Sequence, residues 1–599
     1  MQTALGAEPP CTQKPSLKKT KGSLRDFAPK GSGKKADPRR GWSEHLAEFF
    51  TEKAIALEFP REVQRQAAGL PTVPSANDCQ GRLDLTKLPL CTIDDESAQD
   101  FDDAVHGQAL ENGDVRVTVA IADVSHYVRP GSALDQEARQ RAFSLYYPEH
   151  CIPMLPHALS AGLCSLQPRV KRLCLAVRMR IDAQGKIVST RLDRAVMHSH
   201  ARLTYRQVQD WLDQTPAARA QAIPPAVADS LRVLVRVAKT LRRARQSKGS
   251  LELEMVQQKV RLDTGGQPKV IALVPRLETH RLIEDLMVAT NEAMARLAVR
   301  EKLSCLFRIH PSPQPEKLAQ FITIAQSLGG VPPSLDRASL LAAFGSKALD
   351  GANPARGKNN GVPAKHSSEA RSFAGQKGPW APNRLLAQLH AHIAGRPVQA
   401  VLDPLLLRCM MQAQYSTANT GHFGLASDCY THFTSPIRRY PDLMVHRILT
   451  GHMKGGQTQM LRRGKPSADD LADIAQFCSR RERDIVDSER QLNSMHEAWV
   501  MQSHVDEVDW GEVVGCGSFG VFVRLTSLHA SGLLPIRRCS RRRLEFDAIR
   551  VRLLEKVTGQ TLQLGDRLRV RIAGVHVAKG HVDLLPVRPA TCLRELKEK

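Results

Sequence analysis

The chain lacks the sequence features that mark secreted, membrane-spanning and zinc-ribbon proteins. Its 599 residues contain no apolar run of about 18 residues, the length that a transmembrane helix needs. The N-terminus has no apolar core of the kind found in secretory signals. Thirteen cysteines lie between Cys11 and Cys592 without a Cys-x-x-Cys pair, which predicts free thiols in a reducing compartment. We therefore expect a cytoplasmic protein that makes no membrane contact.

Acidic residues are also in short supply, because 61 Asp and Glu stand against 85 Lys and Arg, for a formal net charge of +24. This excess favours nucleic acid or another polyanion as the partner. Colloidal solubility alone would explain the charge equally well. The length implies several domains, each with enough material for its own core.

Five aspartates crowd into ten positions, namely Asp94, Asp95, Asp100, Asp102 and Asp103. Carboxylates this close repel one another, and their desolvation is costly unless a cation or a proton relieves the charge. If residues 100–103 are extended, Asp100 and Asp102 point to one side and Asp103 to the other. Mg²⁺ suits such a supply of oxygens. A calcium loop of the EF-hand type is excluded because its sixth position would be Gln99 or Val105, whereas a solvated acidic turn remains an alternative.

A second candidate segment places two arginines, Arg438 and Arg439, between Pro436 and Pro441. Arginine stays charged, and its planar fork matches phosphate oxygens. These arginines could also form an ordinary surface pair with a nearby acid such as Asp442. Taken alone, the segment favours that second interpretation.

Composition and periodicity divide the chain into five parts. Residues 1–40 predict a disordered basic tail, which could add RNA affinity, have no role, or serve as an organellar transit peptide. Residues 41–85 predict a helical lead-in, and 86–505 a mixed α/β region with a surface insertion at about 345–384. Residues 508–586 predict a small β-barrel, followed by a tail at 587–599.

Taken in order, these segments resemble the ribonuclease II and ribonuclease R (RNB) family, and are more similar to bacterial ribonuclease R. The resemblance runs from about residue 50 to about residue 585. Its strongest matches are Thr92-Ile-Asp with Asp100-Phe-Asp-Asp-Ala-Val, Ala120-Ile-Ala-Asp-Val-Ser-His-Tyr-Val, Ile152-Pro-Met-Leu-Pro, Gly162-Leu-Cys-Ser-Leu, His200-Ala-Arg-Leu-Thr-Tyr and Thr434-Ser-Pro-Ile-Arg-Arg-Tyr-Pro-Asp-Leu. The resemblance implies a multidomain α+β protein with an RNB catalytic domain, a mixed sheet with helices, followed by a C-terminal S1 domain, a β-barrel of the OB type.

The resemblance further implies processive 3′→5′ hydrolysis of single-stranded RNA to nucleoside 5′-monophosphates. It implies that Asp94, Asp100, Asp102 and Asp103 surround Mg²⁺, with Asp102 tied most directly to cleavage. It sets Arg438 against the scissile phosphate. The aromatics that clamp the stacked 3′ bases are Tyr146 and Phe307, although each would read as a core residue without the family. Tyr205 and Glu489 are carried over as further RNA-binding residues. We expect a monomer, and the sequence specifies no protein partner.

In the barrel, Phe519 and Phe522 could stack bases beside Arg524, and one of the two phenylalanines could instead belong to the core. Three departures from the family pattern stand out. Residues 534–543 are more basic than the usual His-Val-Ser-like turn, which favours phosphate contact over base stacking. Asp95 stands where the family has glycine, so we assign it no role at the metal. Only the basic tail stands where the family has tandem cold-shock domains, so RNA capture is expected to rest on the tail and the S1 domain.

Two other functions remain open at this stage. A non-catalytic RNA-binding protein could retain both folds, although the intact aspartates and Arg438 argue against it. A nuclease acting on DNA also remains, because no residue can be assigned to 2′-hydroxyl recognition from first principles.

Overall fold

The computed structural model describes residues 41–148, 150–216, 223–251, 257–332, 381–396, 398–453, 467–548 and 550–587. The predicted tail at 1–40, residues 345–380 of the predicted insertion, and residues 588–599 lie outside these ranges. The helices are α1 Trp42–Glu52, α2 Arg61–Ala68, α3 Ala76–Cys79, α4 Val124–Tyr127, α5 Ala133–Arg141, α6 Tyr205–Leu212, α7 Pro225–Lys248, α8 Glu278–Arg300, α9 Pro315–Ser327, α10 Ala381–Ile393, α11 Gln399–Cys409, α12 Tyr440–Met453, α13 Ala468–Met501 and α14 Ile536–Cys539.

The strands before the barrel are β1 Leu83–Asp84, β2 Cys91–Asp94, β3 Asp103–Ala109, β4 Val115–Ala122, β5 Leu145–Tyr147, β6 His150–Ile152, β7 Arg172–Ile181, β8 Ile187–Met197, β9 Ala201–Thr204, β10 Gln257–Leu262, β11 Pro268–Val274, β12 Phe307–Ile309 and β13 Gln414–Ser416. The strands of the C-terminal region, which contains the barrel, are β14 Val508–Gly517, β15 Gly520–Leu525, β16 Ser531–Pro535, β17 Glu545–Asp547, β18 Arg552–Leu554, β19 Thr561–Gln563, β20 Arg567–His576 and β21 His581–Pro586.

A seven-stranded mixed sheet organises the first part of the molecule, in the order β1-β8-β7-β4-β3-β2-β9. The outer pairs β1–β8 and β2–β9 are parallel, and the pairs between them are antiparallel. Apolar residues make β4 a buried strand, since its last six residues are all buried. This sheet and the helices on it confirm the predicted mixed architecture.

Helix α7 lies unusually close to strand β3. A Cβ atom built on Gly107 of β3 would stand 2.9 Å from the Leu234 side chain and 3.2 Å from the Ser230 carbonyl oxygen of this helix. The Gly107 N–H donates to the Ser230 hydroxyl at 2.9 Å. Glycine suits this position because the helix packs directly on the strand backbone, and a larger residue would force the helix or the Leu234 side chain to shift. The contact fixes β3, whose first residue is Asp103.

The long helix α13 begins with a capping box formed by Ser467 and Asp470. Its buried residues extend from Leu471 to Met501, so one helix packs along both apolar cores of the molecule. Helix α10 begins at Ala381, inside the range predicted as insertion. The Asn383 side chain on this helix is buried and donates to the Phe423 carbonyl oxygen at 2.7 Å.

Strands β14, β15, β16, β21 and β20 close into a barrel, as predicted. Alternate residues such as Val521, Val523 and Val570 fill its interior. Within the described ranges, no helix is long and apolar enough to cross a membrane. The eleven cysteines in those ranges are free thiols.

Candidate active site

The acidic cluster occupies the connection between the antiparallel strands β2 and β3. Asp94 is the last residue of β2 and Asp103 the first of β3, so Asp100 and Asp102 lie on the loop between them. The Ala122 N–H donates to the Asp102 carbonyl oxygen at 2.9 Å, which ties the loop to the end of β4. The four aspartates that the sequence singled out are thus held by three neighbouring strands.

Ser165 holds the same loop from the other side. Its hydroxyl donates to the Gln99 carbonyl oxygen at 2.7 Å and accepts the Phe101 N–H at 3.1 Å. The next residue, Leu166, donates its N–H to the Phe101 carbonyl oxygen at 3.0 Å. Sequence reasoning assigned no role to Ser165, although it lies in the Gly162-Leu-Cys-Ser-Leu match. The sequence signal for this role was the position of Ser165, a small hydroxyl residue, within an apolar stretch.

Burial sets the protonation of the cluster. Burial first, and then the negative charge of Asp103, raises the pKa of Asp94 to about 8. Burial raises the pKa of Asp103 to about 6 and that of Asp102 well above its usual range. The Arg438 charge opposes all three shifts. The pocket is therefore short of positive charge at neutral pH.

The two arginines of the second segment have different partners. The Arg438 side chain is 47% exposed and its Nε lies 3.5 Å from Asp102 Oδ2. Arg439 instead donates to the fully buried Asp442 at 2.7 Å. The Ile437 N–H donates to Asp102 Oδ1 at 2.9 Å. Arg439 therefore has the acidic partner that the second interpretation named, but the pair is largely buried and does not lie on the surface, while Arg438 faces the acidic cluster.

Tyr146 lies on hairpin strand β5 at the edge of the same pocket and is 36% exposed. Its hydroxyl donates to Asp100 Oδ2 at 3.0 Å, and its N–H donates to Glu489 Oε1 of α13 at 2.8 Å. The neighbouring Ser144 N–H donates to the Arg438 carbonyl oxygen at 3.1 Å. The hairpin, the arginine segment and the acidic loop are thereby joined in one site.

Tyr205 begins α6, directly after β9, which pairs with β2. Burial, followed by the charges of Asp103 and Asp94, raises the pKa of its hydroxyl. Its ring stacks obliquely on His280, with centroids 4.1 Å apart. Tyr205 therefore lies close to the aspartates of the same pocket.

The remaining candidates lie apart from these contacts. Phe307 is 5% exposed and belongs to the main apolar core, so its base-stacking role stays a prediction that requires a buried side chain to become accessible. Phe519 and Phe522 are 55% and 42% exposed on the barrel, and their ring centroids are 5.8 Å apart. Neither phenylalanine is a core residue. Arg524 pairs with Glu512 at 3.6 Å.

The donor chemistry of the pocket fits a hard cation. Oδ2 of Asp94 and Oδ2 of Asp102 are buried and accept no hydrogen bond within the described residues. Buried carboxylate oxygens without partners are costly unless a positive charge meets them. Within the described ranges, no group of three or more Asp, Glu, His or Cys side chains is arranged as a ready metal-binding cluster. Mg²⁺ does not need one, because it keeps several waters and takes phosphate oxygens from the substrate.

Comparisons with known proteins agree with this organisation. The family model "RNB domain" matches residues 82–455, and the model "S1 RNA binding domain" matches residues 504–585. Ribonuclease R of Vibrio cholerae is 37% identical over 548 residues, which cover 90% of this chain and 61% of the relative. Ribonuclease R of Escherichia coli is 36% identical, covering 88% and 60%. The chain thus spans about three fifths of the length of these curated relatives.

A similar fold is present in the Mycoplasma genitalium RNase R structure determined in complex with ribose-methylated single-stranded RNA. The TM-score is 0.78 at 26% identity, and the match covers 90% of this chain and 77% of that one. The RNB match covers more than half of the chain and contains the four aspartates of the pocket together with Arg438. The chain therefore belongs to the RNB family, with an S1 domain following its RNB domain.

Proposed function

We propose that this chain is a 3′→5′ exoribonuclease that hydrolyses single-stranded RNA processively to nucleoside 5′-monophosphates. The observation that carries the proposal is the position of Arg438 beside Asp102 in a buried carboxylate pocket. Fold alone does not establish an activity, so the argument rests on this constellation of side chains. The similarity to ribonuclease R over 90% of the chain supports the reaction class.

The proposed reaction cleaves the last phosphodiester at the 3′ end. The oxygen of a water molecule bonds to phosphorus, and the bond from phosphorus to the 3′ oxygen of the preceding nucleotide breaks. The leaving oxygen keeps the electron pair, takes a proton, and becomes the 3′-hydroxyl of a shortened chain. The departing product carries the phosphate on its 5′ oxygen.

Mg²⁺ would be held by the four aspartates of the pocket, Asp94, Asp100, Asp102 and Asp103. When bound, it activates the attacking water and neutralises charge on the phosphate. Arg438 has two tasks in this proposal. Its half-exposed guanidinium binds the scissile phosphate, and it stabilises the charge that develops on the phosphate oxygens in the transition state. The Ile437 N–H, by holding Asp102 Oδ1, keeps that carboxylate in place.

Tyr146 orients the 3′ end by stacking on its base. Both polar groups of the residue are fixed, the hydroxyl by Asp100 and the N–H by Glu489, so the ring is held in one place before RNA arrives. Stacking does not discriminate among bases, which suits a general degrading enzyme. Phe519 and Phe522 on the barrel would hold RNA further from the cut. The free thiols are in keeping with a cytoplasmic enzyme.

Matched RNA and DNA oligomers test the proposal. A label on the 3′-terminal nucleotide should be released first, as a nucleoside 5′-monophosphate, whereas a 5′ label should remain on the short end products. Early release of the 5′ label, or internal fragments, would contradict the polarity. A preference for DNA would overturn the substrate assignment. Tight RNA binding without hydrolysis would make the chain a non-catalytic RNA-binding protein.

A further inference from the structure

A second exposed aromatic lies on the barrel, away from Phe519 and Phe522. Trp510 on β14 is 48% exposed, and it is paired across the strands with Arg569 of β20. Its neighbour Gly511 is buried, and so are Leu568 and Val570 on either side of Arg569. Trp510, Arg567 and Arg569 therefore lie together on the outer face, and we call these three residues the Trp510 patch.

Among the residues that the structure describes, no acidic side chain neutralises the charge of the two arginines of the patch. Their guanidinium carbons lie 5.8 Å (Arg567) and 6.0 Å (Arg569) from the centroid of the Trp510 ring, and neither forms an ion pair within the described residues. Glu512 stands opposite Arg567 in the strand register, but its carboxylate pairs with Arg524. The next outward arginine of β20, Arg571, pairs with Asp506.

An internal contact between the arginines and the indole accounts for their placement but not for the exposed ring. Nearly half of Trp510 still meets solvent, and the unneutralised guanidinium groups favour an anion beside it. A flat aromatic surface flanked by two cations matches an unpaired base with its neighbouring phosphates. The patch is less suited to a purely acidic peptide, which would leave the indole without a stacking partner.

We propose that the Trp510 patch is a second RNA-contact surface, where an unpaired base stacks on the indole and Arg567 and Arg569 bind the flanking phosphates. Phe522 pairs with Gly515, five residues along β14 from Trp510. At about 3.3 Å per residue the two aromatic sites are roughly 17 Å apart. A single strand of RNA running along β14 therefore reaches both. The inference rests on the proposed RNA-degrading function and adds a contact site to it.

The sequence carries a signal for this surface. In Arg567-Leu-Arg-Val-Arg the period of two sets three arginines on one face of a strand. The tryptophan lies on the adjacent strand, so only the pairing of β14 with β20 brings the aromatic and the arginines together. Sequence reasoning recognised the strand pattern without assigning its outward face.

The inference is tested by measuring the RNA affinity of full-length variants. Each variant also carries Asp102→Asn, so that binding is measured without hydrolysis. Trp510→Ala should weaken binding of labelled single-stranded RNA by about 5-fold to 150-fold, the range for loss of one stacked base. Trp510→Phe should recover part of that loss because it keeps a ring. Val508→Ala, an exposed apolar residue two positions earlier, should leave the affinity unchanged.

Salt dependence gives a second readout. The double variant Arg567→Gln/Arg569→Gln should flatten the slope of log affinity against log salt by about 1.4, because each phosphate contact to a single strand contributes about 0.7. Arg571→Gln, the matched control on the same strand, should change the slope less because Asp506 already pairs with that arginine. If the patch variants kept the affinity and the salt slope of their parent while the unmodified chain still hydrolysed RNA, the inference would be overturned and the proposed function would stand. Failure of that chain to bind or cleave RNA would instead overturn the proposed function.

Discussion

In the proposed function, the acidic pocket and the S1 barrel would contact the same RNA strand by opposite means. In the pocket the key groups are carboxylates withdrawn from water, with Asp102 only 5% exposed. On the barrel the aromatics are about half exposed and arginines stand beside them. Withdrawal from water strengthens electrostatic interactions and suits chemistry, whereas exposure suits reversible binding of a moving strand. Although the net charge of the chain is +24, the acidic loop is a local cluster of negatively charged residues.

The largest expected effect comes from Asp102→Asn, which removes one buried charge and leaves the shape of the pocket. We expect turnover of single-stranded RNA to fall at least about a hundredfold, because preorganised charged groups contribute at that scale. RNA affinity should persist, since the barrel is untouched. The measurement is single-turnover hydrolysis alongside equilibrium binding.

Asp95→Asn is the matched control for that change, because Asp95 is exposed in the same loop. It should leave turnover at the level of the unmodified chain. Equal loss in both variants would mean that the total charge of the loop, and not the buried carboxylate, decides the rate.

The adjacent arginines give the next effect. Arg438→Gln should lower turnover by about a hundredfold, the scale for loss of a group that stabilises transition-state charge. Arg439→Gln should instead lower stability by about 3 kcal/mol, because Asp442 is fully buried and would lose its charged partner. Rates at saturating RNA and urea unfolding midpoints separate the two results. If Arg439→Gln proved as stable as the unmodified chain but inactive, the assignment of the two arginines would be reversed.

On the barrel, Phe519→Ala/Phe522→Ala should weaken RNA binding without slowing the chemical step. Each lost stack is expected to cost about 1–3 kcal/mol of binding free energy. The rate at saturating RNA should stay constant while the RNA concentration for half-maximal rate rises. A fall in the saturated rate would show that the barrel takes part in the chemistry, which would erase the contrast between the two regions.

The smallest effect is expected at Ser165, whose hydroxyl binds the backbone of Gln99 and Phe101 within the acidic loop. Ser165→Ala leaves the buried Phe101 N–H without a partner, at a cost of about 1–3 kcal/mol, and turnover should fall about tenfold as the loop loosens. Ser160→Ala removes a buried hydroxyl that donates to the Pro156 carbonyl oxygen, outside the loop. This control should leave turnover unchanged, and an equal effect on turnover would deny Ser165 a special role.

Local patterns were enough to predict a mixed α/β region, the barrel and the carboxylate-rich loop, whereas the mixed sheet was implied by the family resemblance. Strand β4 was predicted from its β-branched residues and its partial alternation of apolar and polar residues. The order of the motifs indicated the family. The division of labour between Arg438 and Arg439 could not be predicted, because it depends on contacts with residues more than 300 positions away, such as Asp102. Adjacent side chains with the same chemistry are distinguished only by tertiary structure.

Two further features were beyond sequence reasoning for the same reason. Phe307 could be read as a base clamp or as core, and the strand pair β12–β13 buries it in the structure. The Trp510 patch forms across two strands whose pairing brings together residues about sixty positions apart. Period-two patterns fix the face of a residue but not its cross-strand neighbour.

A time course of the unmodified chain on 5′-labelled single-stranded RNA, with Mg²⁺ and with EDTA, tests the central claim most directly. We predict short end products without long intermediates when Mg²⁺ is present, and intact but bound RNA when EDTA removes it. Hydrolysis at an equal rate in EDTA would contradict a carboxylate pocket that works through a divalent cation. Bound but uncleaved RNA under both conditions would contradict the catalytic role of the pocket.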